Sequence, residues 1–529
     1  MRPPSSTAAD SQAVAADPAG HRFVTANAGS GKTKTLIDRV ARLLLAGAQP
    51  SAILCVTYTK AAAAEMQRRL YDRLGLWAVM DQDALVETLT KLEGRPAASF
   101  DDAAVRQARA LFARALESPG GLKIQTIHAF CEALLRRFPV EAGIAPGFRV
   151  MDDPQAAAIV RAAREQVALK ASADAADGEA GMLAEAYARM SVALDFQSFQ
   201  SMFATFEGQR GALIGYFQQT GLSSDALVTD VWKRCGFDAP SCEETEAAYA
   251  MAAIDRPLWR DAAQVLAGGK ATDQKNAALL AAVAADPNAS FDRALAPLFT
   301  LSGTPAIWVR TTAGLKRRED LREALLLQQD ILAAARERIA ATTVAQTTID
   351  ALILAASYIG AYAEEKARRG VLDFNDLIER TSALLNTRED AAWVLYKLDG
   401  GIDHLLLDEA QDTAFEQWNI IEALTAEFGA GAGVRDTART LFVVGDVKQS
   451  IYSFQGANPD LFLARRTAWL DNFRAAGIDA QSVELNTSFR STPEVLAFVD
   501  AVFLTEEFRA ALSSDPAKVT HEAFRTDGP

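Results

Sequence analysis

A chain of 529 residues is too long for one hydrophobic core and is expected to fold as about three or four domains. Half of it is hydrophobic and 23% is charged, the balance of a globular protein; no basic stretch and apolar core follow Met1, and no run reaches the ~18 apolar residues of a membrane span, so a cytosolic protein without membrane attachment is expected. The net charge of −14 does not exclude a nucleic-acid partner, because whole-chain charge averages a local basic groove with an acidic exterior.

Phe23-Val24-Thr25 is a short apolar run that enters a Gly-rich turn and then a helix from Lys32 to about Ala46. Ile53–Thr57 repeats the pattern and feeds an Ala-rich helix through Leu70; Lys123–Thr126 does so again, with a helix to about Phe138. Strands alternating with helices predict a parallel sheet with right-handed crossovers. Between about 151 and 369 the strand signals fade. Leu321, Leu325, Leu332 and Ile339 form one stripe at helical spacing, and Ile349, Leu352, Ala356, Ile359 and Ala363 another; both read as helix-packing core. Gly268-Gly269 and Asp286-Pro287-Asn288 read as loops, and the basic cluster Lys316-Arg317-Arg318 as a solvated helix face. Cys55, Cys131, Cys235 and Cys242 match neither a zinc nor a redox spacing and read as incidental thiols.

The α/β pattern returns near 402. Leu405–Leu407 and Leu441–Val444 are continuous apolar runs that end in Asp408 and Gly445-Asp446, which puts those polar residues at the carboxyl edge of a buried parallel sheet. One sheet split by a helical insertion is the economical reading.

Two segments carry chemistry. Ala26-Asn27-Ala28-Gly29-Ser30-Gly31-Lys32-Thr33 lies between a strand and a helix, where successive backbone N–H groups wrap phosphates and the helix terminus adds positive potential. Lys32 would reach the β- and γ-phosphates and Thr33 a Mg²⁺ ion, which makes ATP with Mg²⁺ the expected ligand. Ala26 stands where the strict pattern has its first glycine. Asp408-Glu409-Ala410-Gln411-Asp412 follows the second apolar strand; alone such a run is a solvated acidic turn, but beside the loop at Lys32 it suits hydrolysis, with Asp408 for the metal and Glu409 for the attacking water.

These segments and six others, in order, resemble the UvrD/Rep-type superfamily 1 DNA helicases, and among them the AddA-type subunits of double-strand-break repair helicase-nucleases. Gln12 resembles the adenine-reading glutamine upstream of the phosphate loop. Thr57-Tyr58-Thr59-Lys60, with the alanines and Glu65-Met66 that follow, and Gln125-Thr126-Ile127-His128 resemble two motifs that hold single-stranded DNA. Asp373-Phe374-Asn375-Asp376-Leu377 resembles the segment that returns the chain to the first motor domain. Gly445–Ala457, with Gln449, Tyr452 and Phe454, is similar to the motif coupling γ-phosphate to DNA; Leu485–Ser491, with Arg490, is similar to the motif that opens the second motor domain.

The resemblance implies a RecA-like parallel-sheet motor (1–150 and 370–478), a mainly helical insertion (151–369) and the truncated start of a second RecA-like domain (479–529). It implies catalytic roles for Asp408, Glu409, Gln449 and Arg490, with Gln449 suited by its amide to sensing the γ-phosphate and Arg490 by its planar charge to stabilising the transition state. The DNA contacts it implies are Thr57, Thr59, Lys60, Thr126, His128, Tyr452 and Phe454; the last two are aromatics on which unpaired bases can stack. Single-stranded and duplex DNA, and an AddB-type partner for the full-length protein, are the binding partners it implies. The expected activity is ATP-driven 3′-to-5′ translocation in double-strand-break repair. The alternative is a module that binds ATP and single strands without effective turnover, with the segment around Arg490 loosely held.

Overall fold

The computed structural model describes residues 4–118, 121–175, 181–221, 224–399, 401–429, 438–451, 456–510 and 521–524. Two compact units result: Met1–Met151 together with Gly370–Pro529, and Asp152–Arg369.

In chain order the strands of the first unit begin with β1 (His21–Ala26), β2 (Ile53–Thr57) and β3 (Lys123–Thr126). β4 (Arg149–Val150) and β5 (Val371–Leu372) follow as a separate parallel pair at the two ends of the helical insertion. β6 (His404–Leu407), β7 (Thr440–Gly445) and β8 (Ala480–Leu485) then join the first three in one parallel sheet, in the order β3-β2-β6-β7-β1-β8. Burial follows position: β2, β6 and β7 are buried at every residue, as interior strands covered on both faces must be, whereas β3 and β8 at the edges are buried only in part. The two-residue period separates the faces. Phe23, Leu54, Leu405, Leu407 and Val443 join one core, and Val24, Cys55, Leu406, Phe442 and Val444 the other.

The sequence places the second motor domain at 479, but β8 pairs in parallel with β1 from His21↔Ala480 to Ala26↔Leu485. Residues 480–485 are therefore part of this sheet. The pairing is pinned at both ends. Buried Arg22 donates to Asp17 and to Asp479, each at 2.7 Å, and the Asn27 N–H donates to the Leu485 carbonyl at 3.0 Å. Nor is the segment after β8 loose: the Phe489 N–H donates to the Gly29 carbonyl at 2.9 Å.

The second unit, described by itself, is helical. Its longest helix, Glu319–Arg369, runs 51 residues and holds both stripes read from the sequence. Leu321, Leu325 and Leu332 are buried, and Ile339 half-buried. In the C-terminal half the buried face is rotated: Ile349 is buried, but Ala356 and Ala363 are exposed, and Leu354, Tyr358 and Tyr362 point inward instead. The aromatic rings decide this. Tyr358 packs edge-on to Phe203 at 5.2 Å and lies 6.0 Å from Tyr362, burying far more apolar area than an alanine face could. By length and composition this helix is also apolar enough to cross a membrane, although scattered polar residues interrupt its apolar runs. It carries buried Asp350, Glu365 and Lys366, and Arg189 holds Asp350 at 2.8 Å, the pairing expected of a helix at the centre of a bundle.

Candidate nucleotide and strand-binding site

The turn after β1 takes its shape from two glycines, Gly29 at φ 75° and Gly31 at φ 89°. Gly31 caps the helix Lys32–Leu45 with no side-chain acceptor, so the first N–H groups of that helix are left for an anion. Ala26 is the last residue of β1 and fully buried; among the described residues Glu409 is the only non-glycine with positive φ, so the strand end at 26 has no steric need of glycine. A larger constraint falls on Gly29. A Cβ there would stand 2.6 Å from the Arg490 Cβ and 2.7 Å from the Ser488 hydroxyl oxygen. The 488–490 segment thus lies directly on the phosphate loop.

β6 delivers Asp408 and Glu409 to the same edge. Glu409 adopts φ 51°, ψ 47°, a left-handed conformation that costs a non-glycine residue on the order of 1–3 kcal/mol and is concentrated at functional sites. Its carboxylate receives Lys32 Nζ at 3.1 Å and Gln411 Nε2 at 2.8 Å. Gln411 Oε1 accepts the Asp446 N–H at 2.8 Å, Asp446 accepts Gln449 Nε2 at 2.5 Å, and Gln449 Oε1 accepts Lys32 Nζ at 3.3 Å. The bonds close a ring, Lys32–Glu409–Gln411–Asp446–Gln449, that ties the phosphate loop to the ends of β6 and β7. Gly445 makes this approach possible, since a Cβ there would meet Gln411 Oε1 at 2.8 Å. The sequence singled out Lys32, Glu409 and Gln449; it placed Asp446 at the carboxyl edge without a role and gave Gln411 none. Their part depends on β6 and β7 being neighbours, which no local pattern reveals.

Asp408 lies behind this ring, 5% exposed, with burial and then the Glu409 charge pushing its pKa up to about 7 against the pull of Lys32. A buried carboxylate so poorly compensated fits a cation, and a nucleotide-bound Mg²⁺ takes one or two protein oxygens besides phosphate and water, as Asp408 and Thr33 could supply. Among the described residues no group of three or more His, Cys, Asp or Glu is placed to hold a metal ion, and such a site needs none. A stability prediction follows. The folded pKa of Asp408 lies above its unfolded value, near 4, so its ionisation weakens the nucleotide-free fold progressively from about pH 4 to about pH 7 and by a constant amount above that. Asp408→Asn should raise the melting temperature by several degrees at pH 8, with the gain shrinking toward pH 4. Melting curves at the two pH values check it, and a gain that grew on acidification would contradict the assigned cause.

Beside the loop a pocket of about 320 Å³ is lined by Gln12, Ser30, Leu485, Asn486 and Phe489. Gln12 Nε2 donates to the Ser30 carbonyl at 2.8 Å, and its Oε1 accepts Lys34 Nζ at 3.2 Å. Phe489 was not singled out from the sequence; its ring, 37% exposed, gives the pocket a flat apolar wall.

The other predicted residues spread along the same edge. Thr57 ends β2 and Thr126 ends β3; both are buried, and Thr126 caps the helix Ile127–Arg137 by accepting the Ala129 N–H at 3.2 Å. Neither hydroxyl has an open surface. Thr59 and Lys60 are exposed, Thr59 also capping its helix at Ala62 N. His128 is half-buried, its pKa lowered by that burial, with its ring edge-on to Phe374 at 5.4 Å; Phe374 is 51% exposed. The Asp373–Leu377 segment forms a capping box, Asp373 accepting Asp376 N and Asp376 accepting Asp373 N. Tyr452 and Phe454 lie outside the described residues.

A parallel α/β sheet with a phosphate loop, paired acidic residues on a nearby strand and a polar sensor beyond it defines a P-loop nucleoside-triphosphatase core. The sequence profile of the UvrD/REP helicase N-terminal domain matches residues 6–468, and the chain belongs to that family. It is similar to the AddA subunit of the ATP-dependent helicase/nuclease of Lactobacillus gasseri, at 26% identity over 91% of this chain and 38% of that protein. The corresponding proteins of Levilactobacillus brevis (28% identity, 91% and 37%) and Desulforudis audaxviator (29% identity, 91% and 38%) match over similar spans. The chain thus spans about two fifths of the length of these curated relatives.

Proposed function

We propose that this chain is the ATP-driven motor portion of an AddA-type DNA helicase, moving 3′ to 5′ along a single strand in the cytoplasm in the service of double-strand-break repair. The observation that carries the reading is the closed ring around Lys32. The cation that would hold β- and γ-phosphate is tied to Glu409 and Gln449. ATP entering the loop would take Lys32 for its phosphates, freeing Glu409 to orient water and Gln449 to bind the γ-phosphate. Bound Mg²⁺, held by Thr33 and Asp408, would supply charge neutralisation on the phosphates. Gln12 would read the adenine edge and Phe489 would cover its face. Arg490, held over the loop, would meet charge developing on the γ-phosphate.

Strand binding would draw on Thr59, Lys60, His128 and exposed Phe374, with Tyr452 and Phe454 as base-stacking residues. Thr59 and Lys60 follow β2, which the sheet order sets three strands from β1, roughly 14 Å at ~4.8 Å per strand. Gln449 would link the two regions, because it follows β7 and the chain beyond it comes back to the segment after Asp412, where Ala457 bridges Ala414. A full-length protein would add duplex DNA and an AddB-type protein to its partners.

The test is ATP hydrolysis by this chain with and without a sequence-scrambled oligonucleotide. Hydrolysis stimulated by single strands, with binding that weakens steeply as salt rises because phosphate contacts release counterions, is the expected result. Salt-independent binding would remove the strand groove from this edge. The alternative, a module that binds ATP and single strands without turnover, predicts tight nucleotide binding and no stimulation.

A further inference from the structure

The pocket beside the phosphate loop has a wall to which a segment without any sequence motif contributes. Glu522-Ala523 pairs in parallel with Thr487-Ser488, in the register Glu522↔Thr487 and Ala523↔Ser488. The Glu522 N–H donates to the Asn486 carbonyl at 3.2 Å, and the Phe524 N–H to the Ser488 carbonyl at 2.9 Å. Because side chains alternate along a strand, Glu522 and Phe524 share one face of this pair with Thr487 and Phe489. The side-chain contacts agree. The Thr487 hydroxyl donates to Glu522 Oε2 at 3.2 Å, and the Phe489 and Phe524 rings lie 4.8 Å apart. Thr487, Phe489 and Glu522 all line the pocket, together with Gln12.

We propose that Glu522 accepts a hydrogen bond from a ribose hydroxyl of the bound nucleotide, so that the site selects ribonucleotides over deoxyribonucleotides, and that Phe524 braces Phe489 against the adenine face. The inference rests on the proposed ATP-binding function and adds the sugar to it. A carboxylate only accepts hydrogen bonds, so its ligand must bring a donor. Adenosine carries donors at its amino group and at its ribose hydroxyls. Gln12 Oε1, which here receives Lys34 Nζ at 3.2 Å, suits the amino group, and that leaves the hydroxyls for Glu522. Carboxylates elsewhere hold ribose hydroxyls in the same way. Thr487 takes one Glu522 oxygen; among the described residues no donor meets the other. Glu484 also lines the pocket, but it accepts the Asn486 side-chain amide at 3.3 Å and stands off the face that carries Phe489. Phe524, 47% exposed, has the Phe489 ring as its aromatic neighbour, so packing behind that ring is what its own ring does here.

Calorimetric titration of ADP with Mg²⁺, and of its 2′-deoxy and 3′-deoxy forms, into the full 529-residue chain reads binding without turnover. At least one deoxy form should bind roughly tenfold more weakly than ADP, the worth of a hydrogen bond to a charged acceptor at a site open to water. Glu522→Ala should erase that preference by loosening ADP alone. The deoxy form should bind the variant as well as the parent or better, because a carboxylate beside the phosphates repels them. Phe524→Ala should loosen all three nucleotides by a similar factor and keep their ratio. Equal affinity of the parent for all three would overturn the sugar contact and leave the proposed ATP function standing. So would equal weakening of all three by Glu522→Ala, the mark of a merely structural residue, or loss of the preference in Glu484→Ala instead. Unchanged affinities in Phe524→Ala would overturn the brace. Binding of none of the three would overturn the ATP function and the sugar contact together.

Discussion

Lys32→Ala should lower ATP turnover by roughly 10²–10³-fold, the loss that follows removal of one preorganised donor from a charge-developing site, and should weaken nucleotide binding in parallel. The structure adds a second reason to the familiar one. Besides its expected contact with phosphate, Lys32 is the only cation joined to both Glu409 and Gln449 in the described ring. Without it Glu409 keeps Gln411 as a donor but loses its counter-ion beside Asp408, so the site becomes more anionic and repels the incoming triphosphate further. The fold should survive. The Glu409 side chain is 34% exposed and finds water once Lys32 is gone, and no core side chain is lost. Titration of a fluorescent ATP analogue, steady-state hydrolysis and a melting curve together check the claim; equal affinity in mutant and parent would remove Lys32 from the phosphate site.

What the sequence disclosed, and what it hid, follows from the range of the interactions. β2 and β3 were readable to the residue, because short β-prone runs bounded by turns are a local signal. The same holds for the phosphate loop, whose glycines and lysine act within one short stretch of chain. β8 was not readable as part of this sheet. Its Ala480-Gln481-Ser482-Val483-Glu484-Leu485 is half polar with no strict alternation, and only its pairing with β1, near the other end of the chain, assigns it. Gln411 hid for the same reason. Within Asp408–Asp412 it reads as a spacer, yet its two amide atoms bridge Glu409 and Asp446. On the helix Glu319–Arg369 the error was one of weight: counting apolar positions equally favoured alanines over the two tyrosines that claim the core.

The second large effect concerns Gly29 and Arg490, and the two substitutions separate geometry from charge. Arg490 is exposed and carries its charge at the end of a segment whose backbone is fixed, through Phe489 to Gly29 and through β8 to β1. Arg490→Ala should therefore cut turnover by about 10²-fold or more, as loss of a transition-state cation does, while leaving the melting temperature and nucleotide affinity nearly unchanged. Arg490→Lys should not restore it, since a point charge lacks the planar fork. Gly29→Ala should do both kinds of damage. A side chain at φ 75° is strained wherever it has room, and here its Cβ would fall 2.6 Å from the Arg490 Cβ and 2.7 Å from the Ser488 hydroxyl. Either the loop or the 488–490 segment must move, at a cost of about 1–3 kcal/mol in stability, and phosphate binding weakens along with turnover. Hydrolysis, nucleotide affinity and melting curves of the three variants decide the matter. Arg490→Ala turning over at the parental rate would show that Arg490 does not reach the γ-phosphate in this chain. Gly29→Ala melting with the parent would show that the close approach of 488–490 to the phosphate loop is not kept in solution.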